Sequence, residues 1–187
     1  AAIHRSHISP RPLIQLNPAN SFDSRPIPCA IALGGNLNNP AETFASALAR
    51  LNGHPQISVT ARSPWYSNPP MGPPQPDFLN GCALLETTLS PDALLQLLLE
   101  TETAMGRVRQ VHWGPRTLDL DLLLYGDRMV ELDHLTVPHP GLGDRAFVLQ
   151  PLADIAPDWV DPRSGLTIQQ LRQRVDCSSI RLAVNQD

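Results

Sequence analysis

The chain is organised around the segment from Gly106 to Asp121, which has the sequence Gly-Arg-Val-Arg-Gln-Val-His-Trp-Gly-Pro-Arg-Thr-Leu-Asp-Leu-Asp. Its end alternates leucine with aspartate, which is typical of a β-strand, because successive side chains of a strand point to opposite faces. Asp119 and Asp121 therefore share one face, roughly 6–7 Å apart, where both can bind one hard cation or a pair of them. The opposite face takes Leu118, Leu120, Leu122 and Leu124.

Two like charges on one face of a sheet destabilise it, so the paired aspartates indicate a functional role. Three arginines precede them, at positions 107, 109 and 116. Arginine forms bidentate hydrogen bonds with phosphate oxygens, and the combination of carboxylates and arginines indicates phosphoryl chemistry. Taken alone, Arg107 and Arg109 are better explained as charges that stabilise the C-terminal end of a helix.

The composition predicts one globular domain. The chain has 187 residues, of which 42% are hydrophobic and 17% charged, and this length is sufficient for a single core. The formal net charge of −4 argues against a general grip on nucleic acid, which needs basic side chains to displace counterions. The three cysteines are scattered and odd in number, which fits neither a disulfide framework nor a zinc site. We expect reduced thiols and a cytoplasmic protein.

The N-terminal segment carries no membrane signal. No apolar run approaches the roughly 20 residues that span a bilayer, and the chain begins without the apolar region of a secretory signal. Residues 1–27 contain three arginines and a single acid, Asp23, as a transit peptide would. Their prolines argue against an amphipathic helix, so we expect a mostly disordered arm.

Strand and helix signals alternate in the first half of the chain. The apolar run 29–33 predicts a buried strand, and Gly34-Gly35 predicts a sharp turn at its end. A helix follows, because Asn39 can cap it and Pro40 suits its first position.

Two further strands, 57–61 and 78–88, are expected to pair antiparallel on either side of the proline-rich loop 67–76. Asn80 lies two positions from Phe78 and so on the same face. An amide beside an aromatic ring and a rigid loop can recognise the edge of a flat heterocycle. An asparagine satisfied by loop carbonyls explains the pattern equally well.

The second half begins with a strong helix signal at Ser90, and Gly106 is suited to the end of that helix. Glu102 lies one turn before the end, where an acid opposes the helix dipole, although a solvated surface glutamate is the commoner reason for such a residue. Further on, we expect a short strand at 148–149, a helix at about 167–175 and a frayed C-terminus.

Seven motifs occur in a fixed order along the chain: Gly34-Gly35-Asn36-Leu37, Asn68-Pro69-Pro70-Met71-Gly72, Asp77-Phe78-Leu79-Asn80, Gly106-Arg107-Val108-Arg109, Trp113-Gly114-Pro115-Arg116-Thr117-Leu118-Asp119-Leu120-Asp121, Thr136-Val137-Pro138-His139 and Arg145-Ala146-Phe147. From about residue 28 to 160, the chain closely resembles the 6-hydroxymethyl-7,8-dihydropterin pyrophosphokinases of folate biosynthesis.

The resemblance implies an α+β fold with a ferredoxin-like core and a largely antiparallel sheet with helices on both faces. We expect a pyrophosphokinase domain at 28–176 and a C-terminal tail at 177–187, in a monofunctional and monomeric enzyme. The implied reaction transfers pyrophosphate from ATP, as co-substrate, to the hydroxymethyl oxygen of the pterin and releases AMP. We expect small-molecule substrates only, with neither nucleic acid nor a membrane as partner.

The resemblance also implies the role of each site residue. Asp119 and Asp121 would hold two Mg²⁺ ions that bridge the triphosphate, and a loop with two arginines would close over the phosphates. The expected catalytic residues are Arg107, Arg109, Arg116, Asp119 and Asp121. The expected ATP-binding residues are Glu102, Arg116, Thr136, His139 and Arg145. The expected pterin-binding residues are Pro69, Pro70, Phe78, Asn80, Trp113 and Phe147.

Two other classes of function are compatible with parts of the pattern. One is a non-catalytic pterin- or nucleotide-binding protein, although such a protein has no need of both aspartates. The other is a metal-dependent phosphoesterase, which the Asp-x-Asp strand alone would allow.

Overall fold

The computed structural model describes residues 25–70, 72–107 and 114–184. Within these residues, six strands form an antiparallel sheet in the order β5-β1-β4-β3-β8, with β2 also paired to β4, and β6 and β7 form a separate hairpin. The elements are β1 Ile27–Gly35, α1 Pro40–Asn52, β2 Ile57–Arg62, β3 Tyr66–Asn68, β4 Phe78–Thr87, α2 Pro91–Ala104, β5 Asp119–Tyr125, β6 Val130–Leu132, β7 Leu135–Val137, α3 Ala146–Ile155, α4 Ile168–Gln173 and β8 Arg181–Leu182.

Each face of the sheet packs against its own pair of helices. Apolar residues of α1 and α2 meet one face around Ile31 and Leu85, in one buried cluster. Residues of α3 and α4 meet the other face around Ala30 and Leu84, in a second cluster. This arrangement confirms the predicted α+β class, with an antiparallel sheet between two helical layers.

The predicted helix starts are confirmed by their caps. The side chain of Asn39 accepts a hydrogen bond from the amide of Glu42, and that of Ser90 accepts one from Ala93. Each bond satisfies an amide that has no partner within its helix. The antiparallel pairing of β2 with β4 is confirmed as well.

The predicted turn at Gly34-Gly35 is wrong, because both glycines are the last residues of β1 and pair with Asn80 and Leu79. Their small size serves close approach instead. A Cβ atom on Gly35 would lie 2.5 Å from the carbonyl oxygen of Thr117, so only glycine lets the segment before β5 lie against this strand.

The predicted alternation of leucines is correct up to Leu122 and wrong for Leu124. The register between β5 and β1 shifts by one residue, since Ile31 pairs with Leu122 and Ala30 with Leu124. Leu118, Leu120 and Leu122 pack in the cluster with α1 and α2, whereas Leu123 and Leu124 pack in the cluster with α3 and α4. A β-bulge places an extra residue in one strand, and this one moves Leu124 to the opposite face.

The short strand predicted at 148–149 is also wrong, because these residues lie in α3. Pro151 falls within that helix. Because proline has no backbone N–H to donate, its presence in the sequence predicts against a helix at this position. The helix forms nonetheless because Val148, Leu149 and Leu152 are buried at helical spacing.

The prediction of a frayed C-terminus is also wrong for residues 181–183. Arg181 and Leu182 pair with Ser67 and Tyr66 of β3, and the amide of Ala183 donates a hydrogen bond of 3.0 Å to the carbonyl of Trp65. At the other end, β1 begins at Ile27, one residue before the expected boundary, and residues 1–24 of the predicted arm lie outside the described residues. None of the helices formed by the described residues has the length and hydropathy needed to cross a bilayer.

Gly81 of β4 provides a test of the core. A Cβ atom there would overlap the ring of Trp65, which is fully buried and packs edge-to-face on Phe44 with ring centroids 5.1 Å apart. We expect Gly81→Ala to lower the free energy of unfolding by about 1–3 kcal/mol, because overpacking forces neighbouring side chains to shift.

The matched control is Gly143→Ala, since a Cβ atom on Gly143 meets nothing within 4 Å. Urea unfolding of both variants checks the prediction. Equal stabilities for the two would contradict the packing argument.

Candidate active site

A single cavity of about 740 Å³ brings most of the predicted site residues together. It opens where β1 and β5 meet the N-terminus of α3 and the loop before β4. Its lining residues are Ala32, Leu33, Gly34, Asn68, Pro69, Phe78, Asn80, Arg107, Arg116, Asp119, Asp121, Asp144, Arg145, Ala146, Phe147 and Val148. The wall thus combines three carboxylates and three arginines with two aromatic rings.

Asp119 is paired with two of those arginines. Its Oδ2 accepts a hydrogen bond of 2.6 Å from Nη1 of Arg116, and its Oδ1 forms an ion pair with Nη1 of Arg107. Both guanidinium groups offset the repulsion between Asp119 and Asp121. The helix-end explanation for Arg107 is therefore incomplete, since this arginine contacts the carboxylate strand directly.

Glu102 joins the same cluster from α2. Its carboxylate is buried, accepts a hydrogen bond of 2.8 Å from the amide of Leu120, and lies 3.0 Å from Nη1 of Arg107. The side chain is therefore no solvated surface glutamate. It fixes the backbone between the two aspartates, while the predicted contact with ATP stays a prediction.

Asp121 and His139 lie near each other on the less exposed side of the cluster. Burial raises the pKa of Asp121 and the charge of Asp119 raises it further, whereas Arg145 and Arg107 lower it. Burial lowers the pKa of His139, and the negative charge of Asp121 only partly opposes this. The imidazole is therefore predominantly neutral at pH 7.

The tautomer of that neutral imidazole follows from its hydrogen bond. The amide of Gly141 donates to Nδ1 of His139 at 3.0 Å, so Nδ1 is an acceptor and the proton resides on Nε2. The Nε2–H group is a donor suited to an anionic oxygen. His139 itself does not line the cavity, so its contact with ATP stays a prediction.

Two aromatic rings line the same cavity, as a binding slot for a flat ring requires. Phe78 comes from β4 and Phe147 from the first turn of α3, and both line the space. Asn80 is buried and its amide nitrogen donates to Oδ1 of Asn68. Its partner is thus a side chain rather than the loop carbonyl considered from the sequence, and its own Oδ1 remains beside Gly34.

The structure also shows a residue whose role the sequence did not indicate. Asn36 is buried and donates to Gln75 at 2.9 Å and to the carbonyl of Pro76 at 3.0 Å, and its Oδ1 accepts from the amide of Arg116. It ties the proline-rich loop to the segment that carries Arg116. Its place in a Gly-Gly-Asn motif was visible, but its three partners are distant in sequence.

Six predicted residues are not part of the cavity wall, and two of them, Glu102 and His139, are described above. Arg109 and Trp113 lie outside the described residues. Pro70 is half-buried in the loop before β4, and Thr136 lies in β7. Asp144, conversely, lines the cavity although no role was predicted for it.

The carboxylate pair fits the Mg²⁺ that the resemblance implies. Among the described residues, no three His, Cys, Asp or Glu side chains form a cluster that would enclose a metal ion. Mg²⁺ does not need such a cluster, since it usually takes one or two carboxylates and completes its shell with water and substrate phosphates. Asp119 and Asp121 supply those two carboxylates.

The sequence model of the 7,8-dihydro-6-hydroxymethylpterin-pyrophosphokinase (HPPK) family matches residues 30–157. The chain belongs to this family. A Synechocystis protein named 2-amino-4-hydroxy-6-hydroxymethyldihydropteridine pyrophosphokinase is 53% identical over 150 residues, which are 80% of this chain and 77% of that protein. A Pseudomonas aeruginosa protein of the same name is 50% identical over 129 residues, or 68% of this chain and 80% of its own length.

Solved HPPK structures share the fold at much lower identity. A Plasmodium falciparum HPPK-DHPS crystallised with pterin and p-hydroxybenzoate matches 82% of this chain with a TM-score of 0.65 and 14% identity. The match covers 44% of that protein, so the chain spans less than half the length of this structural relative. Such identity supports the fold alone.

Glu102 offers a test of how the carboxylate strand is held. We expect Glu102→Leu to lower the free energy of unfolding by about 1–3 kcal/mol, because it leaves the buried amide of Leu120 without a partner. Glu102→Gln keeps an acceptor oxygen and should lose much less.

The matched controls are Glu100→Leu and Glu100→Gln, since Glu100 is exposed on the same helix. Urea unfolding of the four variants is the measurement. If Glu102→Leu and Glu100→Leu were equally stable, the structural role of Glu102 would be disproved.

Proposed function

We propose that the chain transfers the terminal pyrophosphoryl group of ATP to the hydroxymethyl oxygen of 6-hydroxymethyl-7,8-dihydropterin and releases AMP. The observation that carries the proposal is one cavity lined both by a cluster of carboxylates and arginines and by two phenylalanines. The first suits a metal-bound triphosphate, and the second suits a stacked heterocycle. Family membership supports the same reaction.

The transfer forms one bond and breaks another. The hydroxymethyl oxygen bonds to the β-phosphorus, and the bond from this phosphorus to the oxygen that bridges it to the α-phosphorus breaks. AMP leaves with the bridging oxygen and its electron pair, and the hydroxyl proton passes to solvent. Positioning and electrostatic stabilisation account for most of the rate in such a reaction, so no strong general base is required.

In this proposal, different residues of the cavity bind the pterin and the phosphates. Phe78 and Phe147 hold the pterin ring by stacking, and Asn80 hydrogen-bonds its edge. Arg116 and Arg145 bind phosphate oxygens. When bound, two Mg²⁺ ions held by Asp119 and Asp121 supply positive charge against the triphosphate.

Arg107 has a further role in the proposal. It is held by Asp119 and Glu102, immediately before a segment that carries Arg109 and Trp113. We infer that Arg107 exchanges Asp119 for a phosphate oxygen when the substrates bind, and that Arg109 and Trp113 close over the site with it. Closure excludes water that would otherwise hydrolyse ATP.

The domain, the oligomeric state and the cellular compartment are also part of what we propose. We propose residues 28–176 as the catalytic domain of a monomer in the cytoplasm. The free cysteines Cys29, Cys82 and Cys177 support a reducing compartment.

The deciding experiment incubates the protein with ATP, Mg²⁺ and hydroxymethyldihydropterin and measures AMP. We expect AMP in equal amount to pterin diphosphate, and none when the pterin is omitted. Absence of AMP under saturating substrates would leave a non-catalytic binding protein. Cleavage of phosphodiesters without pterin would indicate a phosphoesterase instead.

Substitution of either aspartate should nearly abolish the transfer. We expect Asp119→Ala and Asp121→Ala to lower kcat by at least about a thousandfold, because each removes a ligand of the triphosphate-bound metal. The matched control is Asp127→Ala, an exposed aspartate just beyond the far end of β5, which should retain wild-type activity. Steady-state AMP formation checks all three, and substantial activity in either site variant would refute the metal role.

The loop arginines should affect the chemical step more than binding. We expect Arg107→Ala and Arg109→Ala to lower the single-turnover rate by about a hundredfold, with the Kd of each substrate changed by less than about threefold. Rapid-quench kinetics and equilibrium titration separate the two quantities. A loss confined to binding would contradict the closure role.

A further inference from the structure

Arg163 reaches the nucleotide side of the site from beyond the family match. It follows α3 in the chain and lies outside the matched residues 30–157. Its Nη2 donates a hydrogen bond of 2.7 Å to the carbonyl oxygen of Pro138. Pro138 is buried and directly precedes His139, so the arginine contacts the backbone that carries the histidine.

The peptide unit between Pro138 and His139 is held at both edges. Its carbonyl accepts from Arg163, and its amide, that of His139, donates 3.0 Å to the carbonyl of Leu123. Leu123 lies in β5, two residues after Asp121. The plane of this peptide is therefore fixed between the carboxylate strand and the guanidinium group, and the direction of the His139 side chain follows from it.

The base of Arg163 is itself fixed by a compact turn. The carboxylate of Asp161 is buried and accepts hydrogen bonds from the amide of Arg163 at 3.0 Å and from the hydroxyl of Ser164 at 2.8 Å. The amide of Asp161 donates 2.9 Å to the carbonyl of Leu166 across the turn. A residue whose backbone is held in this way loses less side-chain entropy when it makes a specific contact.

The orientation of the His139 ring matters because only one of its two nitrogens can donate a hydrogen bond to a ligand. Nδ1 is engaged by the amide of Gly141, so only Nε2–H is available to a ligand. A rotation of the peptide before His139 would change the direction of that donor. Deleting a guanidinium–carbonyl bond permits such a rotation, since the carbonyl can then turn to water.

We propose that Arg163 is a positioning residue for the nucleotide: by bonding the Pro138 carbonyl, it holds the His139 imidazole where it meets an ATP phosphate. The inference rests on the proposed function. Arg163 acts through His139 and is not itself a catalytic residue.

The experiment compares wild type, Arg163→Ala, Arg163→Lys and the exposed control Arg50→Ala from the last turn of α1. Calorimetry measures the Kd of Mg²⁺-α,β-methylene-ATP, which cannot be cleaved, and kinetics measure kcat and both KM values. We expect Arg163→Ala to weaken the analogue and raise the KM for ATP by about three- to tenfold, with kcat and the KM for the pterin within about twofold. Lysine can still donate to the carbonyl and should restore most of the affinity, while Arg50→Ala should match wild type.

A double-mutant cycle with His139→Ala decides how the arginine acts. If Arg163 works through His139, adding Arg163→Ala to His139→Ala should weaken the analogue no further. Additive losses would show an independent contact and overturn the inference, as would an unchanged Kd in Arg163→Ala, whatever its melting temperature. Absence of turnover in the wild type would fail the proposed function alone, because the Kd comparison does not depend on catalysis.

Discussion

The ion pairs of Asp119 are the interaction on which the site depends. Two carboxylates on one face of β5 repel each other, and the chain offsets this with Arg107 and Arg116 on Asp119. Glu102 adds a third carboxylate, yet it stabilises the cluster because it bonds both Arg107 and the amide of Leu120. Arginine side chains thus offset the negative charge of the carboxylates in this cluster.

Close backbone approach and one buried asparagine connect this cluster to the rest of the cavity. Gly35 lets the segment at Thr117 lie against β1, which brings Arg116 beside the sheet. Asn36 then bonds Arg116 on one side and the loop at Gln75 on the other. Arg116 and the loop before β4 are consequently connected through one buried side chain.

Local patterns were sufficient for much of this architecture. The Asp-x-Asp alternation, the cap at Asn39 and the antiparallel pairing of β2 with β4 depend on neighbouring residues or simple periodicity, and they are confirmed. The errors arise where tertiary contacts decide. The bulge at Leu123 and the helix through Pro151 both form because apolar residues gain burial against a second layer, and the partners of Asn36 are distant in sequence. No local signal carries such information.

In the proposed reaction, Asp119 and Asp121 hold the metal ions of a bound triphosphate. Electron paramagnetic resonance can count Mn²⁺, which takes the same oxygen ligands as Mg²⁺, in the complex with α,β-methylene-ATP. We expect about two Mn²⁺ ions per chain for the wild type. After Asp121→Ala, we expect one Mn²⁺ ion per chain, the ion that the nucleotide itself carries. An identical count for the two proteins would contradict this metal role.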